Sequence, residues 1–192
     1  MQPRYILAVT GASGMLYAMH LLRGLCNAGE VHVVLSDAAR QVLHAESDWD
    51  ESVFTDAAEA VYRPDQMGAP PASGSWQHSG MIVCPCSMAT LGSLATGAGD
   101  SLIHRAADVC LKEGRRLVLV PRETPLNQIH LANMLTVSRA GAVIMPACPG
   151  LYSRPETIED MSRHFAGRIL DQLGLDWFWG QRWGEDEDGG KG

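Results

Sequence analysis

Short apolar runs alternate along this chain of 192 residues with segments of helical periodicity. The apolar runs are three to six residues long and rich in β-branched side chains, which is typical of buried parallel strands. We predict strands at 5–10, 31–35, 61–63, 81–84, 117–120 and 142–145. The first run is too short for a signal peptide and is broken by glycines, and no run reaches the ~18 residues that span a bilayer.

The segments between these runs show apolar residues at helical spacing. We predict helices at 17–27, 37–45, 51–60, 90–96, 101–113, 125–136 and 158–173, with Pro125 at the first position of its helix. Strands alternating with helices predict an α/β fold with a flavodoxin-like or Rossmann-like doubly wound parallel sheet. We expect one domain over residues 1–176. Residues 177–192 form a tail whose acidic end we expect to be disordered, and whose tryptophans we expect to be exposed subunit contacts.

Polar residues stand where the strands end, which is where open α/β sheets bind small molecules. The first strand leads into Gly11-Ala12-Ser13-Gly14, a turn whose glycines and following helix favour close approach of an anion. The turn fits neither the dinucleotide fingerprint nor the Walker lysine pattern. It therefore favours a ligand with one phosphate over NAD or ATP.

Hydroxyl groups follow the strands at 31–35 and 81–84. Ser36 is a second candidate ligand group, and an N-cap of the following helix is an equally good interpretation. Ser87 and Thr90 resemble caps of a short helix, and their hydroxyls suit the polar edges of a ring or a ribityl chain.

Arg122 and Glu123 follow the strand at 117–120. Adjacent side chains on an extended segment point in opposite directions, so one can hold phosphate while the other faces reacting atoms. The alternative is that each makes an ordinary ion pair. A charge at a buried strand end is unfavourable without a partner, which favours the functional interpretation.

The formal net charge of −7 makes nucleic acid and acidic membrane surfaces poor partners. Basic residues nevertheless concentrate in one stretch, which favours a phosphate-bearing ligand. For Arg115 and Arg116 we accept the simpler interpretation of a solvated helix face. The stretch contains Arg105, Lys112, Arg115, Arg116 and Arg122.

Five scattered cysteines predict free, buried thiols in a reducing compartment, and hence a cytoplasmic protein. The spacing of Cys84 and Cys86 is poor for zinc, and no second pair completes four ligands. We therefore expect no metal site.

Several blocks, in order and with family spacing from about Tyr5 to Leu175, resemble the UbiX family of flavin prenyltransferases, also known as small subunits of aromatic-acid decarboxylases. The blocks are Thr10-Gly11-Ala12-Ser13-Gly14, Val33-Val34-Leu35-Ser36-Asp37-Ala38-Ala39, Ala72-Ser73-Gly74-Ser75-Trp76, Cys84-Pro85-Cys86-Ser87-Met88, Arg105-Ala106-Ala107-Asp108-Val109, Leu111-Lys112-Glu113, Arg122-Glu123-Thr124-Pro125-Leu126 and Gly167-Arg168.

The resemblance implies a dodecamer in which dimethylallyl monophosphate or pyrophosphate alkylates reduced FMN at N5 and C6. The product is the cofactor of UbiD-type decarboxylases. The resemblance assigns FMN contacts to Gly11, Ala12, Ser13, Ser36, Ser87, Met88, Ala89, Thr90 and Arg122. It assigns the donor phosphate to Lys112, Tyr152 and Arg168, with Arg105 nearby. It assigns proton transfer to Glu123, support of N5 chemistry to Ser13, and a wall of the prenyl pocket, from a neighbouring subunit, to Trp76.

The implied chemistry suits these residue types. Breaking an allylic C–O bond leaves negative charge on phosphate, which cations and a phenol can neutralise in place of Mg²⁺. The electron-rich ring of reduced FMN, with Trp76, can stabilise the allyl cation. A carboxylate then manages protons.

Three positions depart from the family pattern without touching the proposed phosphate-binding set. They are Ala132, where Glu is usual, Met15, and Ser101. Two alternatives stay open: a flavin-dependent cysteine decarboxylase of the same superfamily, and a non-catalytic FMN-binding partner of a decarboxylase.

Overall fold

The computed structural model describes residues 2–177 and 179, which contain six strands in one parallel sheet. The strands are β1 (Arg4–Val9), β2 (Glu30–Leu35), β3 (Ala60–Tyr62), β4 (Gly80–Cys86), β5 (Leu117–Pro121) and β6 (Val143–Ile144). Their order is β3-β2-β1-β4-β5-β6, and every neighbouring pair is parallel. The order reverses between β1 and β4, so the binding crevice of such a sheet lies beyond the carboxyl ends of these two strands.

Helices connect the strands and cover both faces of the sheet. They are α1 (Met15–Ala28), α2 (Asp37–Glu46), α3 (Ser52–Thr55), α4 (Met88–Thr96), α5 (Leu102–Lys112), α6 (Gln128–Arg139) and α7 (Ile158–Leu170), with 3-10 turns at Pro70–Ala72 and Asp171–Leu173. None of the helices in the described part of the chain is long and apolar enough to cross a membrane.

Alternate residues of the strands build two separate cores, because successive side chains of a strand point to opposite faces. Leu7 and Val9 of β1 pack with α1 and α7 on one face. Ile6 and Ala8 pack with α4 and α5 on the other face. This arrangement confirms the doubly wound α/β fold, and the strand order is that of the Rossmann alternative.

Two predicted helices differ from the structure. The helix predicted at 125–136 begins instead at Gln128, because the side chain of Asn127 accepts from the amide of His130 at 2.9 Å and forms a capping box with it. Pro125 therefore lies before the helix and not at its first position. The helix predicted at 51–60 shortens to Ser52–Thr55, since only Phe54 of that segment is buried.

The segment predicted as a tail begins with a residue that belongs to the packed body. Trp177 is 5% exposed and lies on the backbone of α7 at Gly167, so it is not an exposed subunit contact. Trp179 is partly buried beside Gly24 of α1. Phe178, Trp183 and the acidic end lie outside the described residues.

Candidate functional site

The carboxyl ends of β1 and β4 are joined by one buried hydroxyl. Thr10, 1% exposed, donates through Oγ1 to the carbonyl of Pro85 at 2.8 Å and accepts from the amide of Ser87, also at 2.8 Å. This contact fixes the position at which α4 starts relative to the glycine turn after β1. The two central loops of the crevice are therefore held as one unit.

The amino terminus of α4 presents unpaired amides to this crevice. The Ser87 side chain caps the helix by accepting from the amide of Thr90 at 3.3 Å, and its hydroxyl donates to Thr90 Oγ1 at 3.1 Å. The amides of Met88 and Ala89 belong to the first turn, where a helix offers no carbonyl partner. These amides can bind an anionic ligand.

The amino terminus of α1 already binds a carboxylate. Glu46, the last residue of α2, accepts from the amide of Gly14 at 3.0 Å and from that of Met15 at 2.9 Å. The glycine turn was a candidate anion site on the sequence, but within the chain this carboxylate already binds the amides of Gly14 and Met15. Sequence reasoning missed Glu46, because only the packing of α2 beside α1 brings the two together.

The glycine turn packs closely against the start of α2, which follows β2. A Cβ on Gly11 would lie 2.4 Å from the Cβ of Ala38, so glycine is needed for the turn to approach α2 this closely. Ser36 caps α2 by accepting from the amide of Ala39 at 3.1 Å. The cap interpretation of Ser36 is confirmed, and its hydroxyl proton remains available to a ligand.

Arg122 and Glu123 continue β5 at the same edge. The amide of Arg122 donates to the carbonyl of Cys86 at 3.3 Å, and Glu123 Oε1 accepts from the amide of Thr124 at 2.9 Å. Both side chains are exposed within the chain. The burial argument made for them from sequence therefore does not apply within a single subunit.

Tyr17, in the first turn of α1, is a further residue at this edge that sequence reasoning missed. Its ring meets Phe165 edge-on at 5.3 Å between centroids, and it lies beside Gly14. Burial raises the pKa of Tyr17, while the positive charge of Arg122 opposes that rise.

The loop that contains Trp76 lies on α5 and contacts two cations of the proposed donor site. Arg105 donates to the carbonyl of Ala72 at 3.1 Å, and Lys112 lies beside Gly74 while it pairs with Glu113. Arg115 donates to the carbonyl of Trp76 at 2.9 Å. Arg115 was interpreted from sequence as a solvated residue, but it holds this loop in place.

Tyr152 contacts α7 and Arg168 belongs to it. The hydroxyl of Tyr152, on the loop before α7, lies 3.3 Å from Nε2 of His164. Arg168 is one turn further along and pairs with Asp171. Both proposed phosphate ligands therefore depend on the same helix for their positions.

The proposed donor set is not one cluster within a single chain. Lys112 ends α5 beside the amino end of β5, and α5 and α7 belong to cores on opposite faces of the sheet. β4 has seven residues, so about 20 Å separates this edge from the crevice at the carboxyl edge. Lys112 and Trp76 therefore cannot complete the crevice of their own subunit.

The three departures from the family pattern have simple structural roles. Ser101 caps α5 by accepting from the amide of His104 at 3.4 Å. Met15 is fully buried in the core shared with α7. Ala132 is exposed on α6, where its carbonyl accepts from Thr136 at 2.9 Å.

Three of the five cysteines are buried, whereas Cys26 is partly buried and Cys148 is exposed, so the prediction of buried thiols is wrong for those two. Burial raises the pKa of Cys86 and of Cys110 to about 12, and it raises that of Cys84 further. Un-ionised thiols are poor nucleophiles and poor metal ligands. Across residues 2–177 and 179, no group of three or more His, Cys, Asp or Glu side chains is placed to hold a metal ion.

Comparison with known proteins defines the class first. The family model described as Flavoprotein matches residues 1–167. A flavin prenyltransferase UbiX from Halalkalibacterium halodurans is 45% identical over 195 aligned positions, covering 96% of this chain and 95% of the relative.

Solved structures agree with the sequence relatives. The crystal structure of AnUbiX (PadA1) in complex with FMN and dimethylallyl pyrophosphate has a TM-score of 0.94 and 45% identity, covering 97% of this chain and 100% of that one. A dodecameric FMN-dependent UbiX-like decarboxylase from Escherichia coli O157:H7 has a TM-score of 0.91 and 42% identity, covering 94% and 98%. The chain belongs to the flavoprotein family and, within it, to the UbiX-type flavin prenyltransferases.

Proposed function

We propose that this protein transfers the dimethylallyl group of dimethylallyl phosphate to N5 and C6 of reduced FMN. The product is prenylated FMN for a UbiD-type decarboxylase. The observation that carries the proposal is the nearly full-length match to a structure that contains FMN and dimethylallyl pyrophosphate. The comparisons do not favour a cysteine decarboxylase or a non-catalytic flavin carrier.

FMN is assigned to the crevice at the carboxyl ends of β1 and β4. The unpaired amides of Met88 and Ala89 and the exposed guanidinium of Arg122 suit its phosphate, and Ser36 offers a hydroxyl donor. The remaining contacts assigned to FMN come from the two loops that Thr10 joins. These contacts are Gly11, Ala12, Ser13, Ser87 and Thr90.

The donor phosphate is assigned to Lys112, Tyr152 and Arg168, with Arg105 nearby. Heterolysis of the allylic C–O bond places the bonding electron pair on the departing phosphate oxygen. Two fixed cations and a phenol stabilise that charge, so the step needs no divalent metal. Within the chain, Lys112 pairs with Glu113 and Arg168 pairs with Asp171.

Glu123 is assigned to proton transfer as the two new carbon bonds form, and Ser13 to the support of N5 chemistry. Glu123 is adjacent to Arg122 on an exposed segment at the carboxyl edge of the sheet. Trp76 is assigned to the wall of the prenyl pocket, where its ring can stabilise the allyl cation.

The complete site is proposed to form between subunits, since one chain holds Lys112 and Trp76 far from its own crevice. Exposed apolar side chains on and beside α6 support assembly, because large exposed apolar patches mark interfaces. They are Leu126 (41% exposed), Ile129 (69%), Leu131 (53%) and Leu135 (51%). The dodecameric relative supports the same assembly here. The five free cysteines support a cytoplasmic location.

The proposal is tested by transfer of the product. The protein is incubated anaerobically with reduced FMN and dimethylallyl phosphate and then removed by filtration, and the flavin extract is added to an apo UbiD-type decarboxylase. We expect the extract alone to restore decarboxylation. If activity appears only when this protein is present, the carrier alternative replaces the enzymatic one.

A further inference from the structure

The phenol of Tyr152 is exposed but is held by a buried histidine. Tyr152 is 44% exposed and lies on the loop between β6 and α7. His164 is 3% exposed on α7. Its Nε2 lies 3.3 Å from the Tyr152 hydroxyl, and the two rings meet edge-on with centroids 5.2 Å apart.

His164 is in turn held by Trp177. The two rings meet at 83° with centroids 5.4 Å apart. A Cβ on Gly167 would lie 2.2 Å from the indole, so glycine at this position lets Trp177 lie against the backbone of α7. The residue that follows Gly167 is Arg168.

Trp177 also connects to Arg168 through a carboxylate. Its indole N–H donates to Oδ1 of Asp171 at 2.7 Å, and Oδ2 of Asp171 pairs with the guanidinium of Arg168. A continuous series of contacts thus runs from Tyr152 through His164, Trp177 and Asp171 to Arg168. The two proposed ligands of the donor phosphate are its ends.

We propose that His164 and Trp177 are positioning residues that set Tyr152 and Arg168 as a preformed clamp for the phosphate of the dimethylallyl donor. This inference rests on the proposed function. A phenol that donates its proton to a phosphate oxygen can accept from Nε2–H of His164 through its own oxygen. A clamp ordered before binding loses less side-chain entropy when the donor arrives.

The test compares two replacements of His164. His164→Phe keeps the ring and loses Nε2, whereas His164→Gln keeps an amide N–H. We expect His164→Phe to raise the KM for dimethylallyl phosphate about three- to tenfold, as for loss of one hydrogen bond, with the FMN dissociation constant unchanged. We expect His164→Gln to recover part of that loss. Ile169→Val, a conservative change in the buried face of the same helix, controls for weakened packing and should leave that KM unchanged.

A double-mutant cycle separates positioning from a merely structural role. In a Tyr152→Phe background, His164→Phe should have no further effect on the KM for the donor, because the hydroxyl it acts through is gone. Trp177→Phe should also raise that KM, since it removes the N–H bonded to Asp171. If the effects of His164→Phe and Tyr152→Phe are fully additive, or if Ile169→Val raises the KM equally, the positioning role is wrong. If the unmodified protein turns over no donor at all, the proposed function is wrong, and the inference that rests on it is wrong too.

Discussion

The side-chain oxygen of Thr10 accepts a hydrogen bond from the amide of Ser87 at 2.8 Å, across the point where the strand order of the sheet reverses. The same hydroxyl donates to the carbonyl of Pro85. One buried group therefore satisfies two backbone atoms and sets the spacing between the glycine turn and α4. That spacing is the width of the crevice assigned to FMN.

Thr10→Val is expected to weaken both folding and flavin binding. Valine has the same shape but leaves the amide of Ser87 without a partner, which destabilises by about 1–3 kcal/mol. The carbonyl of Pro85 still accepts from the backbone amide of residue 10 at 3.2 Å. Urea unfolding and quenching of FMN fluorescence measure the two effects. Thr10→Ser keeps the hydroxyl and should retain most of the stability. Equal stability of the valine variant and the unmodified protein would remove this role of Thr10.

Glu123→Gln is expected to slow prenyl transfer about 100-fold or more while FMN still binds, because the amide cannot accept a proton. Single-turnover formation of prenylated FMN is measured beside the FMN dissociation constant. Glu156→Gln, at another exposed glutamate, is the matched control. Normal turnover of the Glu123 variant would assign proton transfer to another group.

Most strands and helices could be predicted because local signals mark them. Buried parallel strands are short apolar runs, and α1, α2 and α5 each follow a glycine or hydroxyl signal. The predicted start of α6 was wrong, because in the sequence Pro125 is a stronger signal for a helix start than the capping box of Asn127 and His130. Local patterns also do not predict contacts between distant segments. The contact between Glu46 of α2 and the amino terminus of α1 was therefore missed.

The sequence also did not predict that the proposed donor residues lie on two opposite faces of the sheet. Lys112 and Arg168 stand at ordinary helix-end positions, and only the crossing of α5 and α7 over opposite faces separates them. The resemblance implied that a neighbouring subunit supplies Trp76, but it did not separate Lys112 from Tyr152 and Arg168 within one chain. This separation leads to a prediction about assembly.

Mixed oligomers should recover activity that neither parent has. Lys112→Gln and Arg168→Gln each remove one cation from every site of a uniform oligomer, so both should be nearly inactive. If different subunits supply the two cations, oligomers reassembled from both variants contain some intact sites. Turnover of the mixture is compared with that of each variant alone. No recovery after verified exchange of subunits would place both residues in the same subunit's site.

Acid should destabilise the protein partly through His78. This histidine is 8% exposed, its ring lies 5.6 Å from that of Trp76, and burial with nearby Arg115 lowers its pKa from 6.5 to about 4. As the pH falls, His78 is protonated near pH 6.5 in the unfolded chain but only near pH 4 in the folded chain. The neutral imidazole therefore contributes stability that is full above 6.5 and is lost as the pH falls through about 4, by at most about 3 kcal/mol.

The loss is measured as the free energy of unfolding in urea from about pH 7 to about pH 4. His78→Phe should flatten this profile relative to the unmodified protein. His44→Gln, at an exposed histidine of α2, is the control and should not change its slope. A parallel profile for His78→Phe would show that His78 takes no part in acid unfolding.

Mass spectrometry of the flavin formed without oxygen or metal tests the central claim most directly. Reduced FMN and dimethylallyl phosphate are incubated with the protein in excess EDTA, with the pyrophosphate donor in a parallel sample. Charge neutralisation by Lys112, Tyr152 and Arg168 predicts a flavin heavier by one dimethylallyl group despite the chelator. A flavin of unchanged mass with both donors, or a product that appears only after magnesium is added, would contradict the account.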